Sequence, residues 1–273
     1  MCKNHVQYSK NYTAIEMHDS GYVNFVALLD SLMPKTLCLD FGNTRLKAAV
    51  FHEEKILAQH ILPNDDIEEI NRIILSHQPE FSILSSVVNH NQQIEELLRA
   101  RTSFHLLSSD SALPFTLSVG KPETMGSDRL AVAAAAVHLY PQQHNLVIVL
   151  GSCITYNFIS KSAQFLGGSI SPGMEMRFRC MHQYTAKLPL AKADWNVPLI
   201  GYDTATNLQS GVVLGMAKEI EGIIESYQRR YRNFNVLLTG GDIPFFEPHL
   251  KTQIFAIPDL SFKGLYAISK VNH

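Results

Sequence analysis

The chain has 273 residues, 46% of them hydrophobic and 18% charged, with a formal charge of −2. That length suits two ordinary domains with separate cores, and that balance suits a well-packed soluble protein. The near-neutral charge argues against a broad nucleic-acid footprint, which needs a basic face, and no run approaches the roughly 18 apolar residues of a membrane span.

Residues 1–32 are polar, mixed and weakly periodic, with one helix-like piece at Tyr22–Leu32. Residues 1–34 read as an N-terminal extension, expected to be poorly ordered, and no chemistry is assigned to them. The pattern sharpens at Leu37–Val50, LCLDFGNTRLKAAV, an apolar strand, an acidic residue, a turn and a second strand. Gly42-Asn43 signals a tight hairpin, and such a turn gathers backbone N–H groups into a concavity that suits phosphate oxygens. Asp40, where the first strand ends, is placed to hold the magnesium that travels with a nucleotide.

A third strand is expected near Lys55–Ile61, then a helix over Asp65–His77 and a strand over Phe81–Val87. A helix at Asn91–Arg101 and a short strand near Ser103–Leu107 follow. Antiparallel strands leading into alternating helices and strands predict a mixed sheet with helices packed on it. A loop bearing Pro114 and Pro122 reaches a helix from about Ser127 to Tyr140, closed by Pro141. The pattern then restarts, with strands at Leu146–Leu150, Ile154–Ser160 and Gln164–Ile170 and a turn at Gly151-Ser152. A helix after Pro172, a long one from Thr204 to about Tyr231, the strand Asn235–Thr239 and a helix near Ser261–Lys270 complete it. Two hairpin-led halves, 35–141 and 142–273, imply an internal duplication around a central cleft.

Four cysteines (Cys2, Cys38, Cys153, Cys180) are scattered without a CxxC pair, and twelve histidines show no HExxH or zinc-type spacing. Thiols in apolar strands and no secretory signal point to the cytoplasm. Gly126-Ser127-Asp128-Arg129 opens a helix, with Ser127 as the expected N-cap and Asp128 complementing the helix dipole. A carboxylate held there can accept the proton of a substrate hydroxyl, and the Arg129 fork matches a substrate carboxylate. Thr239-Gly240-Gly241-Asp242 lets backbone approach a flat ligand such as adenine or ribose. Gly167–Gly173 is a dense strand-to-helix junction, while Gly211 and Gly215 suit a close helix contact at a subunit or interdomain face. The phosphate loop GxxxxGK[ST] and a strand-linked GxGxxG are both absent from the sequence.

Taken in order, DFGNTRLK at 40–47, GSDR at 126–129, GSCITY at 151–156, GGSISPG at 167–173, MRFRCMHQYTAKLP at 176–189, Thr204 with QSG at 209–211, TGGD at 239–242 and PDLSFKGL at 258–265 resemble a type III pantothenate kinase. The resemblance runs from about Thr36 to the end of the chain. It implies an α/β fold of two duplicated actin-like ATPase (ribonuclease H-like) domains, as in sugar kinases and Hsp70. It also implies transfer of the ATP γ-phosphate to the primary hydroxyl of pantothenate, the first step toward coenzyme A.

By motif position, Asp40, Phe41, Gly42, Asn43, Thr44, Arg45, Leu46, Lys47 and Ser152 would bind ATP. Asp128 would be the base, and Gly126, Ser127, Asp128, Arg129 and Thr204 would contact pantothenate. The family also implies magnesium, a monovalent cation (K+ or NH4+), and a cytoplasmic homodimer with no nucleic-acid or membrane partner. The chain departs from the family pattern at three positions. Val149 replaces the aspartate that helps hold the monovalent cation, Asn157 replaces a common aspartate, and Val119 falls where a tyrosine lines the pantothenate pocket. A weakened kinase is therefore expected, the alternative being a catalytically impaired paralogue that binds ligands or regulates. A sugar kinase or polyphosphatase of the same superfamily fits GSDR and GGSISPG together poorly.

Overall fold

A computed structural model of the chain describes residues 33–273, so the helix-like piece Tyr22–Leu32 and the expected disorder of the extension lie outside the described residues. The first half holds β1 (Lys35–Phe41), β2 (Leu46–His52), β3 (Lys55–Leu62), α1 (Ile67–His77), β4 (Phe81–Ser86), α2 (Gln93–Arg101), β5 (Ser103–Leu106), β6 (Thr116–Leu117) and α3 (Ser127–Leu139). The second holds β7 (His144–Leu150), β8 (Cys153–Ile159), β9 (Gln164–Pro172), α4 (Met174–Gln183), α5 (Thr204–Gln209), α6 (Gly215–Arg230), β10 (Phe234–Thr239), α7 (Ile243–Phe246), β11 (Phe255–Ala256) and α8 (Leu260–Asn272).

The first sheet has the order β3-β2-β1-β4-β5, with β1–β2 and β2–β3 antiparallel and β4 and β5 joined in parallel. The second, β11-β10-β7-β8-β9-β6, read from β9 to β11 repeats that order and sense, with β6 added beyond β9. β1 and β7 are therefore equivalent strands, and Asp40-Phe41-Gly42 matches Val149-Leu150-Gly151.

Strand alternation sorts each sheet's side chains by face. Leu37, Leu39 and Phe41 pack outward with Ile70, Ile73, Ile94 and Leu98 of α1 and α2. Leu146, Ile148 and Leu150 pack outward with Phe178 of α4, Leu208 of α5 and Met216, Ile220 and Ile224 of α6. The inner faces, through Cys38, Ile83, Val147 and Leu237, share one core with α3 and α8. Leu130 to Ala136 of α3 are all buried, because only small side chains fit between two sheets and a neighbouring helix. Gly264 of α8 makes that contact possible, since a Cβ there would lie 1.7 Å from the Ala131 carbonyl oxygen. α8 also packs on β1 and β4, so Pro34–His273 forms one compact unit in which the last helix returns to the first sheet.

Three local expectations change. Phe41 pairs with Leu46, so the first turn is a four-residue connection, 42–45, with the Gly42 N–H donating to the Arg45 carbonyl (3.1 Å). The long helix from Thr204 is interrupted by a π-helical turn at Ser210–Leu214, between α5 and α6. Ser127 is not the N-cap of α3; Gly126 is, and the buried Ser127 hydroxyl accepts from Ser85 Oγ (2.9 Å) and donates to the Ser86 carbonyl (3.3 Å). The serine thus ties α3 to the end of β4 rather than satisfying its own helix.

Candidate active site

The ends of β1 and β7 bring two turns face to face. Thr44 in the first and Ser152 in the second meet through their hydroxyls at 2.6 Å, 108 residues apart in sequence. The second turn is built tightly. A Cβ on Gly173 would lie 2.1 Å from the Gly151 carbonyl oxygen, and one on Gly240, at φ +110°, 2.1 Å from that of Leu150. Positive φ and close backbone approach both demand glycine at 240. The following Asp242 N–H donates to the Leu150 carbonyl (3.2 Å). Burial pushes the Asp242 carboxyl up, as does the charge of Glu175, while Arg45 opposes it.

Asp40 closes β1 on the inner face. Its Oδ2 accepts from Ser261 Oγ of α8 at 2.9 Å and lies 3.9 Å from Lys47 Nζ on β2. Asp128 opens α3 and takes the Arg129 backbone N–H on Oδ1 at 2.9 Å. Solvent reaches Asp128, yet protein surrounds it closely enough that lost hydration pushes its carboxyl up. The Arg129 amide and guanidinium oppose that rise, and the negative charge of Asp40 adds to it. Charge on Asp40 at the end of β1 thus disfavours charge on Asp128 at the start of α3. Desolvation outweighs the helix end in setting the direction of that shift.

Arg129 is half-buried and anchored on its inner side. Nε donates to Asn157 Oδ1 at 2.7 Å, Nη2 lies 3.4 Å from the Tyr156 carbonyl, and the guanidinium sits 5.5 Å over the Phe165 ring. Asn157 is fully buried and turns its amide nitrogen to the Val147 carbonyl (3.3 Å) and Thr155 Oγ1 (3.0 Å). Next to it, Glu219 of α6 takes donors from Tyr156, Ser171 and Arg177. Burial pushes Glu219 up, but these donors and the Arg177 charge outweigh it and hold the carboxyl below its usual range. This cluster fixes β8, β9, α4 and α6 to one another.

The crevice does not gather every residue of the predicted set. Phe41 is buried in the outer core with its ring centroid 5.6 Å from that of His90, and Leu46 packs on the same core. Thr204 is exposed at the first turn of α5, beside an Asp203–Thr206 capping box, and no hydrogen bond among the described residues joins it to Asp128 or Arg129. Val149 packs against the inner core, and Val119 lies near Gly167, where an added Cβ would be 3.9 Å from its Cγ1. Sequence reasoning missed Ser261 as the partner of Asp40. The PDLSFKGL motif was its only signal, because a contact across 221 residues leaves no local pattern.

No group of three or more His, Cys, Asp or Glu among the described residues is arranged to hold a metal. A single carboxylate can nonetheless serve magnesium on a nucleotide, since the ion keeps waters and takes phosphate oxygens as ligands. Asp40 fits that role, with Oδ2 engaged by Ser261.

Two sheets of one repeated topology, facing turns and a carboxylate at a central helix define an actin-like ATPase fold. A putative 2-dehydro-3-deoxygalactonokinase from Sinorhizobium meliloti has this fold, with TM-score 0.54 and 12% identity over 86% of this chain and 97% of that one. A putative Baf family transcriptional activator from Campylobacter jejuni matches with TM-score 0.55 and 22% identity over 86% and 97%. The family model of type III pantothenate kinase matches residues 36–226. A type III pantothenate kinase from Cytophaga hutchinsonii is 39% identical over 236 residues, covering 86% of this chain and 99% of the relative. The chain belongs to the type III pantothenate kinases. It is a kinase of coenzyme A biosynthesis, acting on pantothenate with ATP and a divalent metal.

Proposed function

We propose that the crevice shared by Asp40 and Asp128 is where this chain moves the ATP γ-phosphate to the primary hydroxyl of pantothenate. The observation that supports this most directly is geometric: the turn that follows Asp40 meets the Ser152 turn through the Thr44–Ser152 contact at 2.6 Å. Phosphoryl transfer needs positioning and charge neutralisation more than a strong nucleophile. The 42–45 turn, with Asn43, Thr44, Arg45 and Lys47, cradles the triphosphate together with Ser152. Asp40 holds the magnesium, which neutralises phosphate charge when bound. Asp128 accepts the hydroxyl proton, and its raised carboxyl makes it a stronger base near neutral pH. Arg129 pairs with the pantothenate carboxylate while Gly126 and Ser127 frame the site; a Cβ on Gly126 would lie 2.5 Å from Asp128 Oδ1.

We take the two sheets as the cores of two actin-like domains, 35–141 and 142–273, with β6 of the first range crossing to the second sheet and α3 and α8 shared. The thiols of Cys38, Cys153 and Cys180 are free, and no helix among the described residues is long and apolar enough to cross a membrane. With these, a cytoplasmic enzyme is the reading we favour. A homodimer is supported by an open face. Leu199, Ile200 and Tyr202 are 82%, 83% and 81% exposed, and a Cβ on Gly211 or Gly215 meets nothing within 4 Å. Thr204 adjoins that face, so in a dimer it can serve the partner's pantothenate.

The site does not fit the family's monovalent cation at position 149. A valine turned toward the inner core brings no side-chain oxygen, so the K+ or NH4+ requirement is expected to be weakened together with the turnover. The same residue favours the second reading, an impaired paralogue that binds ligands. The test is ATP-dependent phosphorylation of pantothenate by the wild type and Val149→Asp, each with potassium and with sodium. The expected result is measurable wild-type turnover with little potassium response, and a variant at least tenfold faster in potassium. Wild-type turnover that responds fully to potassium overturns the cation argument, and no turnover in either protein favours the second reading.

A further inference from the structure

We propose that Ser261, on the C-terminal helix α8, is a positioning residue that holds the Asp40 carboxylate in register for the metal–nucleotide. This rests on the reading of Asp40 given above. Ser261 comes from the far end of the chain, yet its place is fixed from both sides. Leu260 is fully buried and Phe262 nearly so, and α8 is locked to α3 by the contact of Gly264 with Ala131. A helix held so firmly carries its second residue to Asp40 with little freedom, and Ser261 Oγ reaches Asp40 Oδ2 at 2.9 Å.

The reason a hydroxyl is needed there lies in Lys47. Its ammonium is 3.9 Å from the same Oδ2, about 1 Å beyond a charge-assisted hydrogen bond. Carboxylate torsions are broad, so an aspartate without an anchor can swing onto a neighbouring ammonium. Such an ion pair would take both groups out of service, the carboxylate from the metal and the lysine from the phosphates. Ser261 occupies Oδ2 with a neutral donor. It leaves the carboxylate its charge and leaves Oδ1 with no hydrogen-bond partner among the described residues, while Lys47 stays at the outer limit of an ion pair.

The measurement is calorimetric binding of a non-hydrolysable ATP analogue to the full chain, with magnesium and with EDTA. Wild type, Ser261→Ala, Ser261→Thr and Asp40→Asn are compared, and the thermal midpoint of each ligand-free protein is recorded. Ser261→Ala is expected to weaken binding about tenfold with magnesium and little with EDTA, at a near-wild-type midpoint. Ser261→Thr, which keeps the hydroxyl, is expected to recover most of the affinity. An alanine variant that binds like the wild type in magnesium overturns the proposal, as does an equal loss in magnesium and EDTA. If Asp40→Asn also binds like the wild type, it is the assignment of Asp40 itself that fails.

Discussion

A carboxyl raised above its ordinary range titrates nearer the pH at which an enzyme works, and Asp128 is in that position. Only its ionised form accepts a proton. Activity should therefore fall as pH drops through the raised value, on an acid limb above that of an unperturbed aspartate near 3.9. Asp128→Asn is expected to lower kcat roughly 10²- to 10⁴-fold while changing the KM for pantothenate little. Stability should move the other way. The folded state disfavours the ionised form, so the asparagine variant gains a small stability at neutral pH. That gain disappears as pH falls below the unfolded value, where both states are protonated. Thermal midpoints of the two proteins at about pH 7.5 and about pH 3 check the sign, and equal midpoints at both would remove the desolvation argument. At this scale the sequence located Asp40 at a strand end and Asp128 and Arg129 at a helix start, where the structure has them. It misplaced Ser127, because the choice between capping its own helix and bonding to Ser85 and Ser86 depends on β4, 41 residues away.

Glycines in helices divide into those that packing requires and those it does not. Gly264 belongs to the first group, for any Cβ must push α8 away from the Ala131 carbonyl. Gly264→Ala is expected to cost about 1–3 kcal/mol or to block folding, and it should also loosen the hold of α8 on Asp40. Gly222 of α6 belongs to the second, with nothing within 4 Å of an added Cβ. Gly222→Ala is expected to stabilise by up to about 1 kcal/mol through helix propensity. Urea unfolding of both variants tests the pair, and opposite signs are the required outcome. Most elements were legible because their periodicity is strong, as in α1, where Asp66 caps and Ile70, Ile73 and Ile74 face the core. What was not legible is where few residues carry little pattern. β6 and β11 have two residues each, and the π turn at Ser210–Leu214 changes no hydrophobic spacing.

Across the whole molecule the duplication is plain in the sequence as two hairpin-led halves, but the strand order is not, since pairing between distant strands leaves no local mark. The repeat also shows what has diverged. Equivalent strand ends carry Asp40 in one half and Val149 in the other, so the cleft has one carboxylate where the symmetry offers two places. The open face along α5 and α6 should make the chain a homodimer in solution. Sedimentation of the wild type is expected to give twice the chain mass of 30.6 kDa, and Ile200→Asp combined with Tyr202→Asp is expected to give monomers. A monomeric wild type that still phosphorylates pantothenate would remove any role for the partner's Thr204.

The touching hydroxyls of Thr44 and Ser152 act as a clasp across the mouth of the molecule. Each hydroxyl has the other as its partner, and two loops 108 residues apart in sequence are held at one oxygen–oxygen contact. If a triphosphate sits between the turns as proposed, this contact is what it must part, and exchanging one neutral bond for charge-assisted ones would cost little.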